Sequence, residues 1–207
     1  MGQFLFRCLT VVAGAVIMAA CSSTAEKPQP SPLPAFTAQL PMQKVWSSKL
    51  GEVITPLSAS FSGTRVAIAS TTGDLALLDA QTGSDVWRMN IKDRIQAGVG
   101  GDGQRFAVVS QGNELIVVEN GREIWRQRLQ AGSFTAPLVA GGRVFVLTAD
   151  RTAVAFDGAS GQRLWVQQRN TEPLVLRQAG VLAAWNDTLL TGFEGRLLGL
   201  NPLTGQS

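Results

Sequence analysis

The 207-residue chain contains no histidine. That excludes a histidine-based nucleophilic triad, a histidine-ligated zinc and a histidine pH switch. Its two cysteines, Cys8 and Cys21, both lie within the first 21 residues. A disulfide-stapled fold and a cysteine-rich zinc module are excluded with them. Charge is sparse. The 18 basic and 15 acidic side chains leave a formal net charge of +3, and they are interspersed without long runs of one sign. The basic stripe of a nucleic-acid-binding surface is therefore missing. No convincing helical apolar period occurs beyond residue 20, and Asp, Glu and Asn form no dense group outside turn positions. What remains is a chain that is 45% hydrophobic with low net charge, the composition of a folded protein with a real core.

The amino terminus reads as an export signal. Arg7 supplies the positive region, and Leu9 to Ala20 is an apolar run. It falls short of the roughly 20 residues that a transmembrane helix needs. It ends in Met18-Ala19-Ala20-Cys21, which resembles a bacterial lipobox with Met18 where Leu is more common. The resemblance implies removal of residues 1–20, a diacylglycerol on the Cys21 thiol and acylation of the new amino terminus. Several acyl chains, each CH₂ worth about 0.8 kcal/mol, hold a protein to a membrane durably. The residues alone also fit an ordinary cleaved signal or a non-exported apolar helix. Residue 22 is Ser rather than the Asp that usually retains such proteins at the inner membrane. The expected site is thus the periplasmic face of the outer membrane. Residues 21–42 carry five of the nine prolines, Pro28, Pro30, Pro32, Pro34 and Pro41. Alternating prolines favour extended backbone and exclude regular helix, so this segment reads as a tether.

From residue 43 onward the chain repeats. Trp46, Trp87, Trp125 and Trp165 are separated by 41, 38 and 40 residues. Before Trp87, Trp125 and Trp165 comes a polar turn, a short apolar run, an acidic residue and a Gly-containing turn. The run 195–207 starts the same sequence once more. Upstream apolar runs at 65–69, 106–109, 144–147 and 181–184 read as equivalent strands. Pro56-Leu57, Pro137-Leu138 and Pro173-Leu174 read as entries to further strands. Several short strands per period of about 40 residues are the pattern of a β-propeller blade. Residues 43–207 are therefore expected to be all-β, about four blades, each of four strands when complete. In Asp79-Ala80-Gln81-Thr82-Gly83 the carboxylate can accept bonds from N–H groups two and three residues on. Gly83 can take a positive φ. Trp87 can then fill the wedge between blades. Asp157, Gly161 and Trp165 repeat the arrangement, and Glu119, Gly121 and Trp125 repeat it with one residue deleted.

Asp79 to Trp87 looks like the A-x-D-x-x-T-G-x-x-x-W repeat of the quinoprotein (PQQ-type) propellers, although residue 77 is Leu where Ala is common. Asp157 to Trp165 and Asn201 to Gly205 are similar. A lipobox, a proline-rich tether and such repeats together resemble the BamB family of outer-membrane protein assembly factors. That resemblance implies an eight-bladed lipoprotein of the β-barrel assembly (BAM) complex, which binds the periplasmic domains of the central subunit, BamA, and serves unfolded β-barrel clients. It covers the whole chain but about half of the family's length, so a fragment is expected. Four blades closing alone, or two copies pairing to make eight, are the alternatives. Glu172 to Arg177 resembles the family's L-x-L-R loop, which implies partner contacts by Leu174, Leu176 and Arg177. Read as residues alone, Leu174 could equally be a core strand position like Leu57 and Leu138.

No catalytic, cofactor or metal residues are expected. One rival is a fragment of a PQQ-dependent dehydrogenase with calcium, which would need a ligand cluster and commonly a vicinal disulfide. Another is an envelope propeller that binds a peptide or ligand in its channel.

Overall fold

The computed structural model describes residues 31, 43–54, 58–168, 179–193 and 196–207. The signal segment, Cys21, all of the tether but Ser31, and Leu174, Leu176 and Arg177 lie outside the described residues. Residues 43–207 belong to one compact unit.

Every regular element among the described residues is a strand, and all pairing is antiparallel within consecutive segments. Blade 1 is β1 (Ser60–Ser62), β2 (Arg65–Ala69), β3 (Asp74–Asp79) and β4 (Asp85–Asn90) in sequence order. Blade 2 is β5 (Ile95–Gly101), β6 (Arg105–Ser110), β7 (Glu114–Glu119) and β8 (Arg122–Arg128). Blade 3 is β9 (Leu138–Ala140), β10 (Arg143–Leu147), β11 (Ala153–Asp157) and β12 (Arg163–Gln167). Blade 4 has three strands, β13 (Val181–Trp185), β14 (Thr188–Phe193) and β15 (Arg196–Leu200). This is the expected all-β propeller architecture.

The strands differ because their positions bury them differently. The two middle strands of blades 2 and 3 are sandwiched between neighbouring blades, and those of blade 1 lie between blade 2 and the segment of Trp46 and Leu50. β7, Glu-Leu-Ile-Val-Val-Glu, buries its four central residues and reads as a continuous apolar run. The fourth strand covers the rim, and in β8 only Trp125 escapes full exposure. The cores lie between the blades and sort by strand alternation. Phe106 and Val108 of β6, with Ile116 and Val118 of β7, pack toward blade 1 with Leu75 and Leu77. Ala107, Val109, Leu115 and Val117 pack the other way, with Val144, Val146 and Phe156 of blade 3.

First strands approach one another closely along the inner edge. The Val99 N–H donates to the Ser58 carbonyl at 3.1 Å. A Cβ on Gly100 would collide with the Pro137 carbonyl that precedes β9. Only a residue without a side chain permits that approach.

Blade 4 corrects one sequence assignment. The run at 181–184 is part of β13, the counterpart of the first strands β1, β5 and β9 rather than of the second strands at 65–69, 106–109 and 144–147. The true counterpart of those is β14. β14, Thr-Leu-Leu-Thr-Gly-Phe, interrupts its apolar residues with Thr and Gly, so in sequence the cleaner run upstream resembles the second strands more closely.

Candidate docking surface

The blade lock joins an Asp or Asn turn, with a glycine four residues on, to the tryptophan of the preceding repeat. In blade 1 the Asp79 Oδ1 accepts from the N–H groups of Gln81 and Thr82, each at 2.9 Å. The Asp157 Oδ1 accepts likewise from Ala159 at 3.1 Å and Ser160 at 2.8 Å. Asn201 does the same with Leu203 and Thr204. Gly83, Gly161 and Gly205 then adopt φ of +71°, +73° and +74°. Each of these turns is covered by the tryptophan of the preceding repeat. Trp46 donates Nε1–H to the Ala80 carbonyl at 2.9 Å, Trp125 to Gly158 at 3.0 Å and Trp165 to Pro202 at 3.0 Å. At the shortened turn Trp87 lies against Gly121. Trp87 also meets Phe106 edge to face, with ring centroids 5.5 Å apart.

A β-bulge aims each tryptophan at its neighbour. Leu77 opposes Trp87, yet Leu78 opposes Asp85, so Val86 is the extra residue. Ile124 and Leu164 occupy the same bulge before Trp125 and Trp165. All three are exposed and form repeated apolar points on the rim. Phe61 and Trp185 are also largely exposed, at 76% and 71%.

Four of the acids are committed to structure. Donated backbone N–H groups, Thr82 first for Asp79 and Ser160 first for Asp157, hold both carboxyls below the usual aspartate range. Arg88 does so for Asp85, and Arg126 for Glu123. Such carboxylates stay ionised at neutral pH and serve as acceptors. Among the described residues no group of three His, Cys, Asp or Glu is placed to hold a metal.

In sequence Leu174, Leu176 and Arg177 lie between β12 and β13, outside the described residues. The residue just before β13 is anchored: the Gly180 N–H donates to the Thr135 hydroxyl at 2.8 Å. Thr135 is itself set by buried Ser133, whose hydroxyl lies 2.8 Å from the Leu147 carbonyl and accepts from the Thr135 N–H at 3.3 Å. The Gln96 amide donates to the Ser133 carbonyl at 3.1 Å. Gly180 and the 129–137 connection therefore meet. The sequence reading missed this anchor, since a lone Thr in a Ser/Thr loop gives no signal. It also missed that blade 3 lacks the arginine–acid pair that follows the tryptophan strand bulge in blades 1 and 2. An alignment on the tryptophans would have exposed that difference.

A sequence profile of the family described as "Outer membrane protein assembly factor BamB" matches residues 71–207. The protein of that name from Burkholderia pseudomallei is 35% identical over 202 residues, covering 94% of this chain and 52% of its own. Its Bordetella pertussis namesake is 26% identical over 206 residues, covering 97% and 53%. The chain spans about half the length of these curated relatives. The crystal structure of BamB from Moraxella catarrhalis superposes with a TM-score of 0.64 at 24% identity, covering 77% of this chain and 49% of that one. A quinohemoprotein alcohol dehydrogenase from Comamonas testosteroni shares the fold at a TM-score of 0.51 and 15% identity, over 69% of this chain and 32% of its own. With two thirds of its length matched by the family profile, the chain belongs to the BamB family of outer-membrane protein assembly factors.

Proposed function

We propose that the protein is a non-enzymatic scaffold lipoprotein of the BAM complex, which binds the periplasmic domains of BamA and aids insertion of β-barrel proteins into the outer membrane. The observation that carries this reading is membership of a family whose relatives are named assembly factors. The described geometry agrees with it. Asp79, Asp157, Asp85 and Glu123 are tied to backbone N–H groups or arginines, and the repeated tryptophan lock makes a stack suited to presenting loops.

In this reading acyl chains on Cys21 hold the protein at the periplasmic face of the outer membrane, and residues 21–42 give it reach. Confinement raises the effective concentration near the machinery, so modest direct affinity suffices. Leu174, Leu176 and Arg177 contact BamA from the connection between β12 and β13. Two aliphatic side chains beside an arginine suit an interface hot spot.

Copurification of BamA with the tagged protein carrying Arg177→Glu tests the proposal. Capture is expected to fall by about tenfold, the effect of losing one hot-spot contact, with an unchanged circular-dichroism melt. Undiminished capture removes Arg177 from the interface. Undiminished capture by Leu174→Ala with Leu176→Ala removes the segment as a whole.

A further inference from the structure

Blades 1 and 2 place the same set of three charged side chains beside their tryptophans. In blade 1 Arg88 pairs with Asp85 at 2.9 Å, and Asp74 stands two residues before Ala76, the strand partner of Arg88. In blade 2 Arg126 pairs with Glu123 at 2.8 Å and also with Glu114, which stands two residues before Ile116, its own strand partner. Blade 3 breaks the set. Val166 opposes Val154, so the matching positions hold Thr152, Val166 and Arg163. Valine has replaced the central arginine, threonine one acid, and arginine the other.

The space beside β8 is open there. A cavity of about 370 Å³ lies between Gln127–Gln130 and the face of blade 3. That is within the range of small-ligand sites. Leu129, Val154 and Phe156 give it an apolar floor. Thr152, only 6% exposed, also lines it, and its Oγ1 is buried without a hydrogen-bond partner. A buried hydroxyl left unpaired is costly, which marks a place where an acceptor or donor belongs. Arg128 and Arg163 stand at the same cavity. Among the described residues no carboxylate lies within ion-pairing distance of either. The acid in the lining, Asp150, is already engaged through Oδ1 by the Thr148 hydroxyl and the Thr152 N–H.

We infer that this cavity binds a carboxylate carried on an apolar body. Arg163 and Arg128 take the carboxylate, whose charge-assisted bonds to guanidinium are strong and directional. The Thr152 hydroxyl donates to it. Leu129, Val154 and Phe156 cover the apolar part, which a bare anion would leave unused. The carboxylate can come from a peptide terminus or from a fatty acid. The site does not depend on the assembly role proposed above.

Calorimetric titration of the full chain tests this with three probes: N-acetylphenylalanine, decanoate and N-acetylphenylalaninamide. Saturable binding of at least one acid, with the amide about tenfold weaker or worse, is expected. A preference for the first probe assigns the peptide terminus, and a preference for decanoate assigns the fatty acid. Arg163→Gln is expected to weaken the bound acid by about tenfold. Thr152→Glu with Val166→Arg rebuilds in blade 3 the acid and arginine of blades 1 and 2 and fills the cavity. That double variant is expected to abolish binding while its melting temperature matches or exceeds the parent's. Failure of both acids to bind, equal binding of the amide, or undiminished binding by the folded double variant overturns the site.

Discussion

Trp125 reaches 33 residues along the chain to donate its indole N–H to the Gly158 carbonyl at 3.0 Å, and its ring then lies directly over Gly161. Gly161 is constrained twice. Its φ is +73°, and a Cβ added there would meet the Trp125 ring at 2.7 Å. Gly141 separates the two constraints, since its φ is +57° but nothing lies within 4 Å of its Cβ direction. Gly141→Ala is expected to cost about 1 kcal/mol through backbone strain alone. Gly161→Ala is expected to cost about 2–4 kcal/mol, because the ring must also move and its hydrogen bond goes with it. Urea midpoints of the two variants check this. Equal losses would mean that the ring adapts without penalty and that the lock is looser than its geometry.

The turn aspartates predict how stability responds to acid. Asp79 and Asp157 have folded values below the ordinary one because N–H groups bond the ionised form. Stability from a group depressed in this way is complete above its unfolded value, about 3.9, and is lost as pH falls through the lower folded value. The melting temperature is therefore expected to hold steady from neutral pH to about pH 4 as far as these groups govern it, and to decline below. Asn201 already makes the same two bonds in blade 4 without a charge. Asp79→Asn with Asp157→Asn should thus leave the melt at pH 7 nearly unchanged and make the acid decline shallower. An unaltered slope would assign the acid sensitivity to other carboxylates.

The turns were legible in the sequence because each is local: Asp79 and Gly83 lie within five consecutive residues, and only an Asx turn and a positive φ suit those residue types together. Which tryptophan covers each turn was not legible, since the ring over Gly83 is that of Trp46 from the preceding repeat. The bulge at Val86 was not legible, since apolar-next-to-tryptophan reads as ordinary strand until the register is known. Nor was the status of 181–184. β13 and β14 differ in sequence from the other blades, and only pairing showed which is inner. The cavity at Thr152 required both kinds of knowledge. Thr152, Arg163 and Val166 become a vacancy only when their positions are matched to Glu114, Glu123 and Arg126 across two registers. Cys21 and the Leu174–Arg177 segment lie outside the described residues, so their reading still rests on motif resemblance.

The lipid anchor has a direct test. Several acyl chains on Cys21 would give durable membrane binding, whereas one alone gives marginal and reversible binding. Cys21→Ala is expected to move the protein from the membrane pellet to the soluble periplasmic fraction or to leave it as an uncleaved precursor. Intact-mass measurement distinguishes the two, and in the parent it should show removal of residues 1–20 and the added acyl mass. Unmodified Cys21 in the parent would reject the anchor outright.

Thr135 links the described structure to the proposed partner segment. Its hydroxyl accepts the Gly180 N–H, the last residue before β13, while its own position is set by Ser133. Thr135→Val keeps the shape and removes the acceptor. The change should cost about 1 kcal/mol, the usual net worth of one hydrogen bond. The loss should be local, because the blade cores beneath are intact. Hydrogen exchange at Gly180 is therefore expected to accelerate several-fold while the global melt shifts little. If residues 168–180 present Leu174, Leu176 and Arg177 to BamA, loosening their end also adds an ordering cost on binding, and BamA capture should fall in step. Faster exchange at Gly180 with undiminished capture would show that the segment binds without this anchor, or that the contact lies elsewhere on the propeller.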